Sequence, residues 1–272
     1  MLILFPFFGI ILAAVDFMLS PPYSANAFPG ILISAVLYTI LLVLCYLAVF
    51  AALAMVVDIK KPNEKFNKFY NRFVIVTLRM VLEACNVKVK VEGEEKIPKE
   101  RFLLVQNHLS MFDPISSVAY LGKYEIGFVI KPEAFRYLFL NKFMHRICCI
   151  PIDRDNARNA VKTINAAAEN IKNDICSMAI YPEGTRAKDG KMLPFRQGAF
   201  KIATKAEAPL VITTVDNTNK VKKNAPWKRT EITLRICEVI PAEEVAASST
   251  AQLSERARKV MCESLGVPYN EE

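Results

Sequence analysis

The first 59 residues contain neither lysine nor arginine, and their only charges are Asp16 and Asp58. A signal peptide begins with a positively charged segment, so this absence argues against cleavage after the small-x-small sequence Ala25–Ala27. Histidine is also scarce. The two histidines exclude a histidine-rich metal site, and the seven cysteines form no CxxC pair and indicate reduced thiols. No Walker loop, GxGxxG or GxSxG sequence occurs.

Positive charge is concentrated in the remainder of the chain. The 272 residues include 35 basic and 27 acidic ones. Removing the two early aspartates leaves 35 basic and 25 acidic residues after position 59, a net charge of +10. Such a basic body favours anionic partners: lipid headgroups, phosphates, acidic carrier proteins or nucleic acid.

A long apolar run precedes that basic body. Ile31–Val57 is free of charges over 27 residues, and about 20 helical residues cross a bilayer core. Lys60 and further lysines follow at once, so the positive-inside rule places that end in the cytoplasm. Met1–Leu19 is a second, shorter apolar stretch, which we interpret as the other arm of a hairpin with Pro21–Gly30 as its outer turn. The sequence thus predicts a membrane anchor over 1–59, with one or two transmembrane helices.

The segment after the anchor has helical periodicity. Apolar residues recur at spacings of three and four from Phe66 to Ala84, which predicts an amphipathic helix over 64–85. This helix either packs on its own domain or lies on anionic lipid, and both interpretations stay open. We expect it to belong to a second domain over 60–272.

Strand-like and helix-like segments alternate through that second domain. Alternation of this kind predicts an α/β fold in which helices cover a mainly parallel sheet. The predicted strands are Val87–Val91, Phe102–Gln106, Ile126–Ile130, Cys149–Ile152, Ser177–Tyr181, Leu210–Val215 and Glu231–Val239. The predicted helices are Pro114–Leu121, Pro132–Arg146, Asn156–Asn173, Gln197–Ala206 and Ala251–Ser264.

One polar segment follows a predicted strand directly. His108 and Asp113 are five residues apart, which on a single helix would put them on different faces. A loop leading into a helix at Pro114 can instead fold the carboxylate back toward the imidazole. Asp113 would then be the N-cap of that helix. An imidazole can remove the proton from an alcohol at neutral pH, and a carboxylate on its other nitrogen fixes the tautomer.

The whole pattern Asn-His-x-Ser-x-x-Asp resembles the first block of the glycerolipid acyltransferase superfamily. A second block resembles the stretch from Lys131 to Arg154, and a third resembles Tyr181–Arg186 followed by Phe195–Gly198. The resemblance covers roughly 87–215 and is nearest to the 1-acylglycerol-3-phosphate acyltransferases. It implies His108 and Asp113 as the catalytic pair, supported by Asn107 and Ser110. It further implies a phosphate site made of Glu183, Gly184, Thr185, Arg186, Arg154 and Lys131.

Each residue type in the implied phosphate site suits an expected task. The Arg186 guanidinium matches a phosphate, and Gly184 permits close backbone approach. Glu183 would be repelled by phosphate, so we expect it to orient Arg186 or a backbone turn.

The implied reaction transfers a fatty acyl group from a thioester donor to the sn-2 hydroxyl of 1-acylglycerol 3-phosphate, giving phosphatidate. The donor is acyl-CoA or acyl carrier protein, and the resemblance implies no metal, cofactor or nucleic acid. The catalytic domain would face the cytoplasm on an anionic membrane surface. Two alternatives stay open: another acceptor (glycerol 3-phosphate or a lysophospholipid) and a non-catalytic membrane lipid-binding protein.

A second basic segment lies outside these blocks. Trp227 is the sole tryptophan and has five nearby cations: Lys220, Lys222, Lys223, Lys228 and Arg229. This loop could face a membrane, a carrier protein or nucleic acid, or be an ordinary solvated loop.

Overall fold

A computed structural model describes residues 2–19, 28–61, 65–187 and 192–269. Within it the chain forms two compact units, Met1–Asp58 and Ile59–Glu272. The possible cleavage sequence Ala25–Ala27 and most of the predicted turn Pro21–Gly30 lie outside the described residues.

The first unit is a pair of apolar helices, α1 (Leu4–Leu19) and α2 (Phe28–Met55). Within α2, Pro29–Met55 is long and apolar enough to cross a membrane, with a mean hydropathy of 2.6. At 16 residues, α1 is shorter than the roughly 20 residues that a crossing needs.

Small residues bring α1 and α2 close together. A Cβ atom on Gly9 would lie 2.3 Å from Thr39 Oγ1 and 2.9 Å from the Ala35 carbonyl oxygen, so only glycine fits there. The Phe5 and Tyr46 rings meet edge to face at 5.9 Å. Phe5 in α1 contacts Tyr46 in α2, whereas Gly9, later in α1, contacts the earlier residues Ala35 and Thr39. The two helices are therefore antiparallel. Packing through small residues is typical of helices in lipid.

The second unit begins with α3 (Lys68–Ala84), which starts later than the predicted 64–85. Asn67 caps this helix by accepting a hydrogen bond from the Tyr70 amide at 3.1 Å. Phe66 and Tyr70 are buried, and the Phe73 ring stacks on Phe143 at 5.6 Å. Much of the apolar stripe therefore packs inside its own unit. Phe69 is 62% exposed, so it is the aromatic residue of α3 that could contact lipid if this helix lies at a membrane surface.

The described residues include seven strands in one sheet, with the order β1-β7-β6-β2-β5-β3-β4. All neighbouring pairs are parallel except β6 and β7, which are antiparallel. The prediction of a mainly parallel sheet with helices packed on it is confirmed. The strands are β1 (Val87–Glu92), β2 (Leu103–Gln106), β3 (Ile126–Ile130), β4 (Ile150–Pro151), β5 (Ser177–Ile180), β6 (Leu210–Asp216) and β7 (Thr230–Ile240).

Helices α6 and α10 pack on the central strands, and α3 and α4 on β1. Every residue of β2 and β5 is buried, as expected for strands covered on both faces. The helices of this unit after α3 are α4 (Phe112–Leu121), α5 (Leu140–Arg146), α6 (Ala157–Lys172), α7 (Lys201–Ala206), α8 (Thr218–Asn224), α9 (Ala242–Ala247) and α10 (Thr250–Leu265).

Two helix predictions need correction. The segment Pro132–Arg146 is not one helix. It forms a 3-10 helix over Pro132–Arg136 and then α5, because Phe139 has a left-handed φ of 68° that a helix cannot contain. Asp113 is not an N-cap, since α4 starts at Phe112 and places Asp113 inside its first turn.

Candidate active site

The loops of the first and third blocks meet at the carboxyl ends of two neighbouring parallel strands. His108 follows β2, and Tyr181 follows β5, which pairs with β2. The Ala187 amide donates a hydrogen bond to the His108 carbonyl oxygen at 2.8 Å. The carboxyl edge of a parallel sheet is where α/β proteins build their sites.

His108 and Asp113 are in direct contact in this loop. His108 Nδ1 lies 2.7 Å from Asp113 Oδ2, and the Leu109 and Ser110 amides donate to the same oxygen at 2.6 and 2.8 Å. These amides turn the loop so that the carboxylate returns to the imidazole. Because a carboxylate only accepts hydrogen bonds, Nδ1 carries the proton and Nε2 is left as the basic nitrogen. Asp113 is fully buried, whereas the His108 side chain is 16% exposed.

The second oxygen of this carboxylate has a partner that the sequence did not suggest. The buried Thr218 hydroxyl donates a hydrogen bond to Asp113 Oδ1. Thr218 is the first residue of α8 and lies 105 positions away in the sequence. Asp113 is thus held from its own loop and from the loop after β6.

The two supporting residues of the first block act on the backbone. The buried Asn107 amide group donates to the Val215 carbonyl at 2.9 Å and accepts from the Val215 amide at 2.8 Å. It thereby ties the end of β2 to β6. Ser110 Oγ accepts a hydrogen bond from the Phe112 amide at 3.0 Å, which closes the turn before α4.

An aromatic side chain packs on the imidazole. The buried Tyr181 ring stacks on His108 with a centroid distance of 4.3 Å and an angle of 22°. Burial raises the pKa of Tyr181 well above its usual value, so the phenol stays neutral. Stacking limits the rotation of the imidazole, a contact that the sequence did not reveal.

Glu183 holds the two loops together. Its Oε1 accepts from the His108 amide at 2.6 Å, and its Oε2 accepts from the Leu193 amide at 3.0 Å. The residue is buried, and burial raises the pKa of Glu183 to about 7. Of the two expected roles, the hydrogen bonds correspond to support of backbone turns and not to orientation of Arg186.

Gly184 permits a close contact with a further cation. It has a φ of 76°, and a Cβ atom there would lie 2.7 Å from Arg196 Nε. Arg154 is half-buried, and burial lowers its pKa. The positive charge of Arg196 lowers this pKa further, whereas the negative charge of Glu133 raises it. Arg196 therefore lies beside Gly184 and near Arg154. It was quoted with the third block but not predicted as a site residue.

The remaining predicted residues are exposed. Lys131 follows β3 directly, and Thr185 and Arg186 follow Gly184. Within the described part of the chain, their side chains make no hydrogen bond or ion pair. The structure thus brings His108, Asp113 and Glu183 into one connected network. Lys131, Thr185 and Arg186 are exposed and lie outside that network.

The known proteins that this chain resembles are acyltransferases. Residues 88–215 match the family model described as Acyltransferase. The chain is 30% identical over 184 residues to the 1-acyl-sn-glycerol-3-phosphate acyltransferase of Saccharomyces cerevisiae. The matched segment covers 65% of this chain and 59% of the yeast protein. The chain is 32% identical over 158 residues to a probable enzyme of the same name from Mycoplasma pneumoniae, over 57% of each chain.

A solved structure supports the fold. The crystal structure of the 1-acyl-sn-glycerophosphate acyltransferase PlsC from Thermotoga maritima aligns with a TM-score of 0.54 and 24% identity. The alignment covers 75% of this chain and 81% of that one. At this identity it establishes the shared architecture alone. This chain spans less than two thirds of the length of the yeast and Mycoplasma relatives.

Proposed function

We propose that this protein transfers a fatty acyl group from acyl-CoA or acyl carrier protein to the sn-2 hydroxyl of 1-acylglycerol 3-phosphate, giving phosphatidate. The observation that carries the proposal is the His108–Asp113 pair, whose Nε2 remains basic at the edge of the sheet. The relatives' names supply the acceptor.

The proton and the acyl group follow a simple course. His108 Nε2 takes the proton of the acceptor hydroxyl as its oxygen attacks the thioester carbonyl carbon. The tetrahedral intermediate then collapses, the carbon–sulfur bond breaks, and the departing thiolate takes the proton back from the imidazolium. Asp113 holds the imidazole and stabilises its positive charge without itself being protonated.

Four cations are proposed to bind the acceptor phosphate. The cations that we assign to the phosphate are Arg186, Arg154 and Lys131, together with Arg196. The backbone of Gly184 and Thr185 would lie around the phosphate. Within the described residues, Arg154 and Arg196 form no ion pair with a carboxylate, and two such cations near each other favour an anion between them.

The membrane arrangement is part of the proposal. Residues 1–59 would anchor the chain through α2, and 60–272 would form the catalytic domain on the cytoplasmic side. A substrate that stays in the bilayer could then reach the site.

The test is an assay of the purified full-length chain with labelled acyl-CoA and acyl carrier protein. The acceptors would be 1-acylglycerol 3-phosphate, glycerol 3-phosphate and lysophospholipids. We expect phosphatidate to be the main product, and His108→Ala to reduce its formation by about 10²–10⁴-fold because the base is lost.

The matched control is His145→Ala, which removes the other histidine from α5 and should leave turnover unchanged. Preference for a different acceptor would identify another acyltransferase of the class. Turnover by a folded His108→Ala protein at the normal rate would refute the mechanism.

A further inference from the structure

The loop between α8 and β7 displays the one tryptophan of the sequence to solvent. Trp227 is 92% exposed, although tryptophan is among the side chains that bury most of their surface in folded proteins. No ring contact of Trp227 is formed within the described residues. A large aromatic side chain held fully in water indicates a surface that meets something else.

The surroundings of Trp227 are strongly basic. Five exposed cations flank it: Lys220, Lys222, Lys223, Lys228 and Arg229. None of the five forms an ion pair in the part of the chain that the structure describes. The segment 217–230 contains no acidic residue, and the nearest in sequence are Asp216 and Glu231, outside its two ends. This loop therefore carries five uncompensated positive charges around one apolar ring.

The backbone holds this loop in place. The Lys228 amide donates to the Asn224 carbonyl at 2.7 Å, and the Asn224 side chain donates to Thr230 Oγ1 at 3.0 Å. Val221 of α8 is fully buried and fixes this helix to the rest of the unit. Trp227 is thus presented by a hydrogen-bonded turn, so little conformational freedom would be lost when it meets a partner.

The loop lies on the same edge of the sheet as His108. Strand β7 is antiparallel to β6, and Thr233 pairs with Asp216 at the carboxyl end of β6. Strand β7 begins three residues earlier, at Thr230, which puts its start about 10 Å beyond that end. At the other end of α8, Thr218 contacts Asp113. One short helix therefore connects the candidate site to the tryptophan loop.

We propose that 218–229 is a docking surface for an anionic lipid bilayer, with Trp227 in the headgroup region and the five cations on lipid phosphates. Tryptophan favours this region of a bilayer because one part of its ring system is apolar and its N–H remains hydrated. Lysine and arginine are attracted to anionic lipid from within a Debye length. The chain also has an apolar helix long enough to cross a bilayer. This contact would turn the sheet edge that carries His108 toward the lipid.

The intrinsic fluorescence of Trp227 tests this proposal without interference from other tryptophans. The full-length chain would be placed in nanodiscs whose scaffold protein lacks tryptophan, made of phosphatidylcholine alone or mixed with phosphatidylglycerol. With phosphatidylglycerol present, we expect the emission to shift to shorter wavelength and brominated lipid chains to quench it. High salt should reduce both effects.

Two matched variants separate the loop from the overall charge. The quadruple change Lys222→Gln, Lys223→Gln, Lys228→Gln and Arg229→Gln leaves only Lys220 of the five cations and should strongly reduce the difference between the two lipid mixtures. The control changes four exposed lysines elsewhere, Lys99→Gln, Lys162→Gln, Lys172→Gln and Lys259→Gln, and should retain the difference.

Three results would overturn the proposal. The first is unshifted, unquenched emission in anionic nanodiscs, and the second is an equal loss in both quadruple variants. The third is a response to an acidic carrier protein or to nucleic acid in place of lipid. Because the measurement reads fluorescence and not turnover, its outcome is independent of whether the chain transfers acyl groups.

Discussion

Replacing Glu183 by glutamine should remove a pH dependence from the stability of this fold. Glu183 is buried and accepts hydrogen bonds from the His108 and Leu193 amides. Burial raises its pKa from an ordinary 4.5 to about 7, and these two hydrogen bonds oppose the rise. Glutamine has nearly the same shape but does not ionise. Its NH2 group cannot accept one of the two amide hydrogen bonds, but that loss does not depend on pH, so the slope of stability against pH still isolates the contribution of this proton.

The sign follows from proton linkage. Between pH 4.5 and about 7 the folded protein keeps a proton on Glu183 that the unfolded chain has already released. The free energy of unfolding therefore falls as pH rises through this interval and is constant with respect to Glu183 outside it. At about 1.4 kcal/mol per pKa unit, the full change is at most about 3.5 kcal/mol. For a domain of this size, that corresponds to a fall in Tm of roughly 7–14 °C.

Circular dichroism of the detergent-solubilised protein, heated at a series of pH values from 4.5 to 8, measures this change. We expect the Tm of Glu183→Gln to fall less steeply than that of the unmodified chain, since groups common to both proteins cancel. Glu169→Gln, in the exposed face of α6, is the control and should keep the original slope. Parallel profiles for Glu183→Gln and the unmodified chain would contradict the assignment of the titration to Glu183.

Two further predictions concern the candidate site. Thr218→Val removes the hydroxyl that donates to Asp113 Oδ1 and should lower kcat by about tenfold or more, because a hydrogen bond to a charged group contributes about 1.5–3 kcal/mol. Thr218→Ser keeps that donor and should restore most of the rate; equal loss in both variants would make Thr218 a packing residue alone. Arg186→Ala should raise KM for the phosphorylated acceptor by about tenfold or more and leave KM for the acyl donor almost unchanged. Lys99→Ala, an exposed cation outside the motif blocks, is its control, and a change confined to the donor KM would assign Arg186 to the donor.

Much of the second unit could be predicted because its central strands are short apolar runs between polar segments. Leu103–Gln106 and Ser177–Ile180 are buried throughout, so their composition alone separates them from the helices around them. The proximity of His108 and Asp113 is also local information. Two backbone amides between them close the turn, and this requires no contact from outside the loop.

Contacts between distant segments could not be predicted in the same way. Thr218 reaches Asp113 only because the carboxyl ends of β2 and β6 are neighbours, and the order of strands in a sheet is not written in any one of them. The position of Arg196 beside Gly184 likewise depends on a contact between two parts of the chain after β5 that are 12 residues apart in sequence. The left-handed Phe139 that divides one predicted helix is a bulky residue in a conformation that its type disfavours, so composition gave no sign of it.

Burial divides the motif residues into two groups with different expected behaviour. Three motif residues are buried: Asn107, Asp113 and Glu183. Each joins the loop 107–113 to another segment through hydrogen bonds. A substrate approaching from solvent cannot contact them without displacing these partners, so their changes should act on kcat and stability. Arg186 and Lys131 are exposed and therefore free to meet an anionic group, so their changes should act on KM. Glu183 and Arg186 of the third block therefore do not act as one phosphate-binding unit. Glu183 is buried and supports the loop through backbone hydrogen bonds, whereas the Arg186 side chain is exposed.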